Sequence, residues 1–131
     1  MGNYRGTIIE ESLSDLSALN DLKIIKTDVE TVTAEHETPH LNKWTLHRVQ
    51  IPAELVDRVA EKISRSLNTE HGHWYADFKT GARHYIIFSG KIFKINRSSH
   101  QQYEAARQYG ISLGIPAQQV DFSQDIKEWQ N

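Results

Sequence analysis

Between His71 and Ile95 the chain reads HGHWYADFKTGARHYIIFSGKIFKI, and this block limits the fold more than any other stretch. Trp74, Ala76 and Phe78 alternate with His73, Tyr75, Asp77 and Lys79, the two-residue period of a half-buried strand. Thr80-Gly81-Ala82 can turn the chain, and His84 to Phe88 supplies a returning strand. Ser89-Gly90 then stands between two apolar runs, where glycine's tolerance of positive φ suits a two-residue hairpin. A third strand over 91–95 completes a meander. The alternative is one long strand bulged at Gly90.

The flanks supply more strands and two helices. Residues 6–11 predict a short strand, and Ser12 to Leu22 one or two turns of helix or 3₁₀-helix capped by Ser14 or Asp15. Lys23 to Thr33 alternates, with Ile25, Thr27, Val29 and Thr31 on one side. A polar connection over 34–42, broken at Pro39, leads to a strand at Lys43 to Ile51. One side of that strand carries Trp44, Leu46 and Arg48, the other Thr45, His47, Val49 and Ile51. After Pro52, the stripe Val56, Val59, Ala60, Ile63 and Leu67 predicts an amphipathic helix, with Glu54–Arg58 and Glu61–Arg65 pairs on its wet side. Ser98 or Ser99 opens a second helix with the stripe Tyr103, Ala106, Gly110 and Leu113, which Gly114 and Pro116 stop. Val120 to Phe122 can add a short strand.

The expected fold is α+β: an antiparallel sheet of five or six strands with both helices on one face. From residue 43 the order becomes ferredoxin-like, with N-terminal additions, if Gly90 is a bulge and 120–122 a strand. One domain is expected over 1–131, with 1–5 and 123–131 as flexible tails; a chain of 131 residues can bury one core unaided.

Composition removes several classes of chemistry. With no cysteine there can be no disulfide, thiolate zinc site or cysteine nucleophile. No apolar run approaches the roughly 18 residues of a spanning helix, and Glu10-Glu11 interrupts any leader after Ile8-Ile9. Gly6 stands where a myristoylation signal needs Ser or Thr. The expectation is a cytoplasmic protein with no membrane partner. Net charge is −2, yet residues 1–42 carry −5 and residues 79–107 carry +5. Opposed faces would favour self-association or an anionic partner, whereas scattered solvated charges are the plainer reading.

The runs TPHLNKWTLHRVQIP, WYADFK, HYIIF, KIFKI and YGISLGIPAQQVDF together resemble a group of small hypothetical bacterial and archaeal proteins, a pattern extending from about Gly6 to Phe122. That group carries no assigned activity, cofactor or catalytic residue. The resemblance implies a complete, free-standing protein.

Six of the seven histidines lie between 36 and 84. If the turn after Lys79 is tight, His73, Asp77 and His84 form a polar cluster in which a carboxylate orients an imidazole, the arrangement of a general base. The bland alternative is a set of solvated sheet-surface residues. His47, Tyr75 and Lys79 are candidate ligand contacts. His36–His40 and His71–His73 have spacings that metal ligands use, but Pro39 argues against a helix at the first pair and no catalytic zinc signature is present. No metal or cofactor is expected. Tyr85, Phe88, Phe93 and Tyr103 with the local positive charge would suit stacking on single-stranded nucleic acid. The pI near 6.4 and the missing glycine-aromatic signature oppose that partner. The expected function is a non-catalytic binding or assembly module, with a homodimer or another protein as partner and Trp44 and Leu46 as candidate interface residues. The rival is a small enzyme using the His/Asp site.

Overall fold

Strand β1 (Tyr4–Ile9) lies inside the sheet, between two strands that come later in the chain. In the computed structural model, residues 3–34, 38, 40–120 and 122 are described, excepting the side chain at 118. β2 (Lys23–Thr31), β3 (Lys43–Ile51), β4 (Tyr75–Lys79), β5 (Arg83–Phe88) and β6 (Lys91–Asn96) complete a six-stranded sheet in the order β2-β3-β1-β4-β5-β6. Every neighbouring pair is antiparallel. Helix α1 (Val56–Ser66) joins β3 to β4, and α2 (His100–Ser112) follows β6.

Tyr4 and Arg5, expected in a flexible tail, belong to β1, so the strand starts two residues before its expected position. Tyr4 is held there by an edge-on contact with Tyr85, ring centroids 5.1 Å apart. The turn of helix or 3₁₀-helix expected within 12–22 is a 3₁₀ turn at Leu16–Leu19, capped by the Asp15 carboxylate accepting from Ser17 N. Another 3₁₀ turn, Glu10–Ser12, replaces the end of the expected first strand. β4 begins at Tyr75, leaving His73 and Trp74 in the preceding loop. Ser89-Gly90 forms the hairpin turn, with Gly90 at φ 76° and Phe88 opposite Lys91. The Ser64 hydroxyl donates to Phe88 O and accepts from Gly90 N, pinning this turn to α1.

Gly90 is therefore no bulge. Past α2 the chain makes a 3₁₀ turn, Ala117–Gln119, and Val120 and Phe122 contribute buried side chains where a strand was expected. The two conditions for the ferredoxin-like order are not met; β1, from the N-terminus, takes the place between β3 and β4.

The helices lie on opposite faces of the sheet, which overturns the expectation of both on one. Alternate residues of β5 separate two cores. Tyr85 and Ile87 pack with Val59, Ala60 and Ile63 of α1, while Ile86 and Phe88 pack with Tyr103 and Ala106 of α2. The pairing register carries this parity across the sheet: Phe78, Val49 and Tyr4 face α1, and Tyr75, Asp77 and His84 face α2. The reason is in the sequence: Tyr85-Ile86-Ile87-Phe88 is an unbroken apolar run, and a strand that is apolar on both faces requires cover on both. α2 packs over the β5–β6 end of its face, and the β1–β3 part beside it opens into a cleft.

Candidate functional site

The cleft has a volume of about 460 Å³, within the range of small-molecule sites. Its floor is built by strand residues of the α2 face: Thr7 and Ile9 from β1, Trp44 and Leu46 from β3, Tyr75 and Asp77 from β4. One wall is the loop 71–74 and the other is the chain after α2, from Gly114 to Gln119. That second wall is set by how the helix ends. Gly114 takes φ 92°, its N–H bonds Ile111 O, and Ile115 N–H bonds Gly110 O. Such a left-handed closure suits glycine, and it turns Ile115 inward against the second core. Tyr75 fastens the wall to the floor by donating its hydroxyl to Gln119 O at 2.6 Å. Burial, with Asp77 nearby, pushes the Tyr75 phenol well above its usual range, so it remains a donor.

Two indoles meet at the cleft. Trp44 and Trp74 pack edge to face with centroids 5.5 Å apart, and Trp44 Nε1 donates to Thr38 Oγ1 at 3.0 Å. His71, on the rim, stacks on His40 at 4.1 Å. Among the described lining residues, Asp77 is the one acid and no Lys or Arg is present.

Asp77 is fixed from behind. His84 Nε2 lies 2.7 Å from Asp77 Oδ2, and His84 Nδ1 lies 3.0 Å from the Tyr103 hydroxyl. A carboxylate cannot donate, so Nε2 carries the hydrogen toward Asp77; in that tautomer Nδ1 accepts from Tyr103 O–H. Burial raises the Tyr103 pKa, against the opposing effect of the Arg97 guanidinium beside the phenol, and keeps that hydrogen available. The result is a relay of donors from α2 through the sheet face to the carboxylate. His84 itself is fully buried, whereas the Asp77 side chain retains 25% exposure. Asp77 is the member a bound molecule can touch, and His84 and Tyr103 position it.

The remaining sequence candidates divide. His73 lines the same cleft, but among the described residues it makes no hydrogen bond to Asp77 or His84. Tyr75 is in the floor. His47 points to the α1 face, where its ring nitrogens lie 2.9 Å from Glu10 Oε1 and 2.9 Å from Thr27 Oγ1. Lys79 is buried opposite His84 on β5 and is no part of the cleft lining. Trp44 and Leu46, expected at an interface, are half-buried in the cleft floor. Of the aromatic residues considered for base stacking, Tyr85, Phe88 and Tyr103 are buried in the two cores, and Phe93 is half-buried against the second. His36 lies outside the described residues.

Sequence reasoning missed Thr7, Gln119 and the relay role of Tyr103. A tyrosine in an otherwise apolar helix stripe was the available signal, since a buried phenol needs a partner for its hydroxyl.

Comparison with protein-family models, with curated proteins and with solved structures returns no match. Among the described residues, no helix is long and apolar enough to cross a membrane.

Proposed function

We propose that this chain is a non-catalytic binding module whose cleft takes a small organic cation with a planar apolar body. One observation carries the reading: a single fixed carboxylate, Asp77, stands in a cleft floored by Trp44, Leu46 and Ile9. An ammonium or amidinium group at Asp77 would meet a charge already oriented by His84, so little ordering is left for binding to accomplish. The indole edges and faces suit an aromatic body and a cationic head together. Tryptamine and indole-3-acetate test this, because they share a ring and differ in the sign of the side chain. In calorimetric titrations tryptamine should bind the more tightly, and Asp77→Asn should abolish the preference. Absence of heat from either at millimolar concentration would remove the reading.

The His84–Asp77 contact also supports a second reading, a small enzyme in which Asp77 accepts a proton from the bound molecule. Turnover of a bound compound that Asp77→Asn abolishes, with binding retained, would favour it. We read the module as a homodimer as well, because β2 carries large apolar side chains on an outer edge that pairs with no other strand among the described residues.

A further inference from the structure

We propose that two copies of this chain join β2 to β2 in antiparallel fashion about a two-fold axis at Thr27, making one continuous twelve-stranded sheet. This geometry rests on the homodimer reading and is independent of what the cleft binds.

All nine residues of β2 are exposed, although every one except Ile25 is paired to β3 on the strand's inner edge. Ile24, Ile25 and Val29 are 43%, 51% and 62% exposed, and they are three of the four exposed large hydrophobic residues among those described. An edge strand of this length presents a row of outward backbone donors and acceptors; proteins commonly protect such edges with proline, short length or cover, and also with lysines and bulges, of which β2 has Lys23, Lys26 and one irregularity. β2 has no proline, and its irregularity is a register shift between Ile24 and Lys26.

Its charge order selects the occupant. Lys23 and Lys26 lie toward one end, Asp28 and Glu30 toward the other. A parallel second copy would set lysine beside lysine and acid beside acid. An antiparallel copy reverses the order, and the axis at Thr27 places each Lys26 opposite the partner's Asp28 and each Ile25 opposite the partner's Val29. Directly opposed residues share a face of the sheet, so the Lys26 and Asp28 side chains, paired inward to Arg48 and Leu46, touch across the seam. Lys26 Nζ and Asp28 Oδ2 already lie 3.7 Å apart within one strand, so both heads stand on the same face of the sheet. A two-fold arrangement closes on itself and leaves no further β2 edge to grow from.

The test is charge reversal followed by mixing. Wild-type protein should sediment as a dimer from micromolar concentration upward. Lys26→Glu and Asp28→Lys should each dissociate about tenfold more readily, because each sets two like-charged pairs across the seam. Both side chains are exposed, so circular dichroism should show the variants folded. Mixing the two variants should restore wild-type affinity as a heterodimer, since every 26–28 pair is then opposite in sign. Wild-type protein that stays monomeric to submillimolar concentration overturns both this geometry and the homodimer reading. A dimer that ignores the single reversals, or variants that fail to recover on mixing, overturns the β2 geometry alone.

Discussion

Asp77 and His84 are offset by two residues across the β4–β5 hairpin, yet their side chains meet at 2.7 Å on the face that α2 covers. One end of that contact reaches the cleft and the other is sealed beside Tyr103. The pair converts a hydrophobic helix contact into the positioning of a surface carboxylate.

His84→Leu should therefore cost more than the loss of one hydrogen bond. It leaves the Tyr103 hydroxyl without its acceptor and Asp77 without its donor, for a loss of about 2–3 kcal/mol. Tyr103→Phe removes one partner of a neutral bond and should cost about 1 kcal/mol. The double variant should be about 1 kcal/mol less destabilised than the two losses added together, because the second change removes the group the first one orphaned. Urea denaturation of the four proteins measures all three quantities; strict additivity would mean that the two side chains do not act as a unit.

Ile86 and Ile87 are adjacent and both fully buried, but they belong to different cores. Ile86→Ala opens a cavity under α2 and Ile87→Ala one under α1, each at about 2–4 kcal/mol. With helices on opposite faces the two cavities share only the sheet backbone between them and no core side chains, so the double variant should be additive within about 0.5 kcal/mol. Strong coupling in denaturant titrations would point to one shared core.

The two-faced sheet was legible in Tyr85-Ile86-Ile87-Phe88, where the alternation seen in β3 and β4 gives way to continuous apolar character. The helix stripes, the Ser99 cap and the Gly90 turn were legible because each is a local pattern, set by a period or by one backbone angle. The place of β1 was not. Which strands flank it depends on pairing over 37 or more residues of chain, and no local propensity encodes that register. The cleft follows the same division. Asp77 with His84 could be read from one hairpin, whereas Thr7, Trp44 and Gln119 come to it from three distant segments.

Gly6 shows what holds β1 in that unforeseen position. A Cβ built there would overlap the Asp77 carbonyl oxygen and crowd the Phe78 ring. Gly6→Ala must push β1 away from β4, and the obstacle is backbone, which cannot swing aside as a side chain can. The cost should be about 3 kcal/mol. The same displacement would tilt the Asp77 end of the floor, so tryptamine affinity should fall in protein that is still folded. A fully stable variant with unchanged binding would mean that the two strands have slack between them.

Three phenols with raised pKa values should make stability fall at alkaline pH. Burial raises the pKa of Tyr75, Tyr85 and Tyr103 above the ordinary value of 10.0. The hydrogen bond to the Asp57 carboxylate adds to the shift for Tyr85, and the charge of Asp77 adds to it for Tyr75. The unfolded chain loses these protons first as pH rises, so it binds fewer protons than the folded one. Stability from this source is complete below pH 10 and falls above it, until the folded-state values are reached. Each phenol contributes at most about 1.4 kcal/mol per pH unit to that decline. Tyrosinate absorbance from these three should therefore rise together with the loss of circular dichroism, and Tyr85→Phe should shallow the slope of stability against pH above 10. Wild-type absorbance that reaches its full value while the circular dichroism is still native would mean that hydroxide reaches the three phenols in the folded protein, and that the cores around them open far more readily than their burial implies.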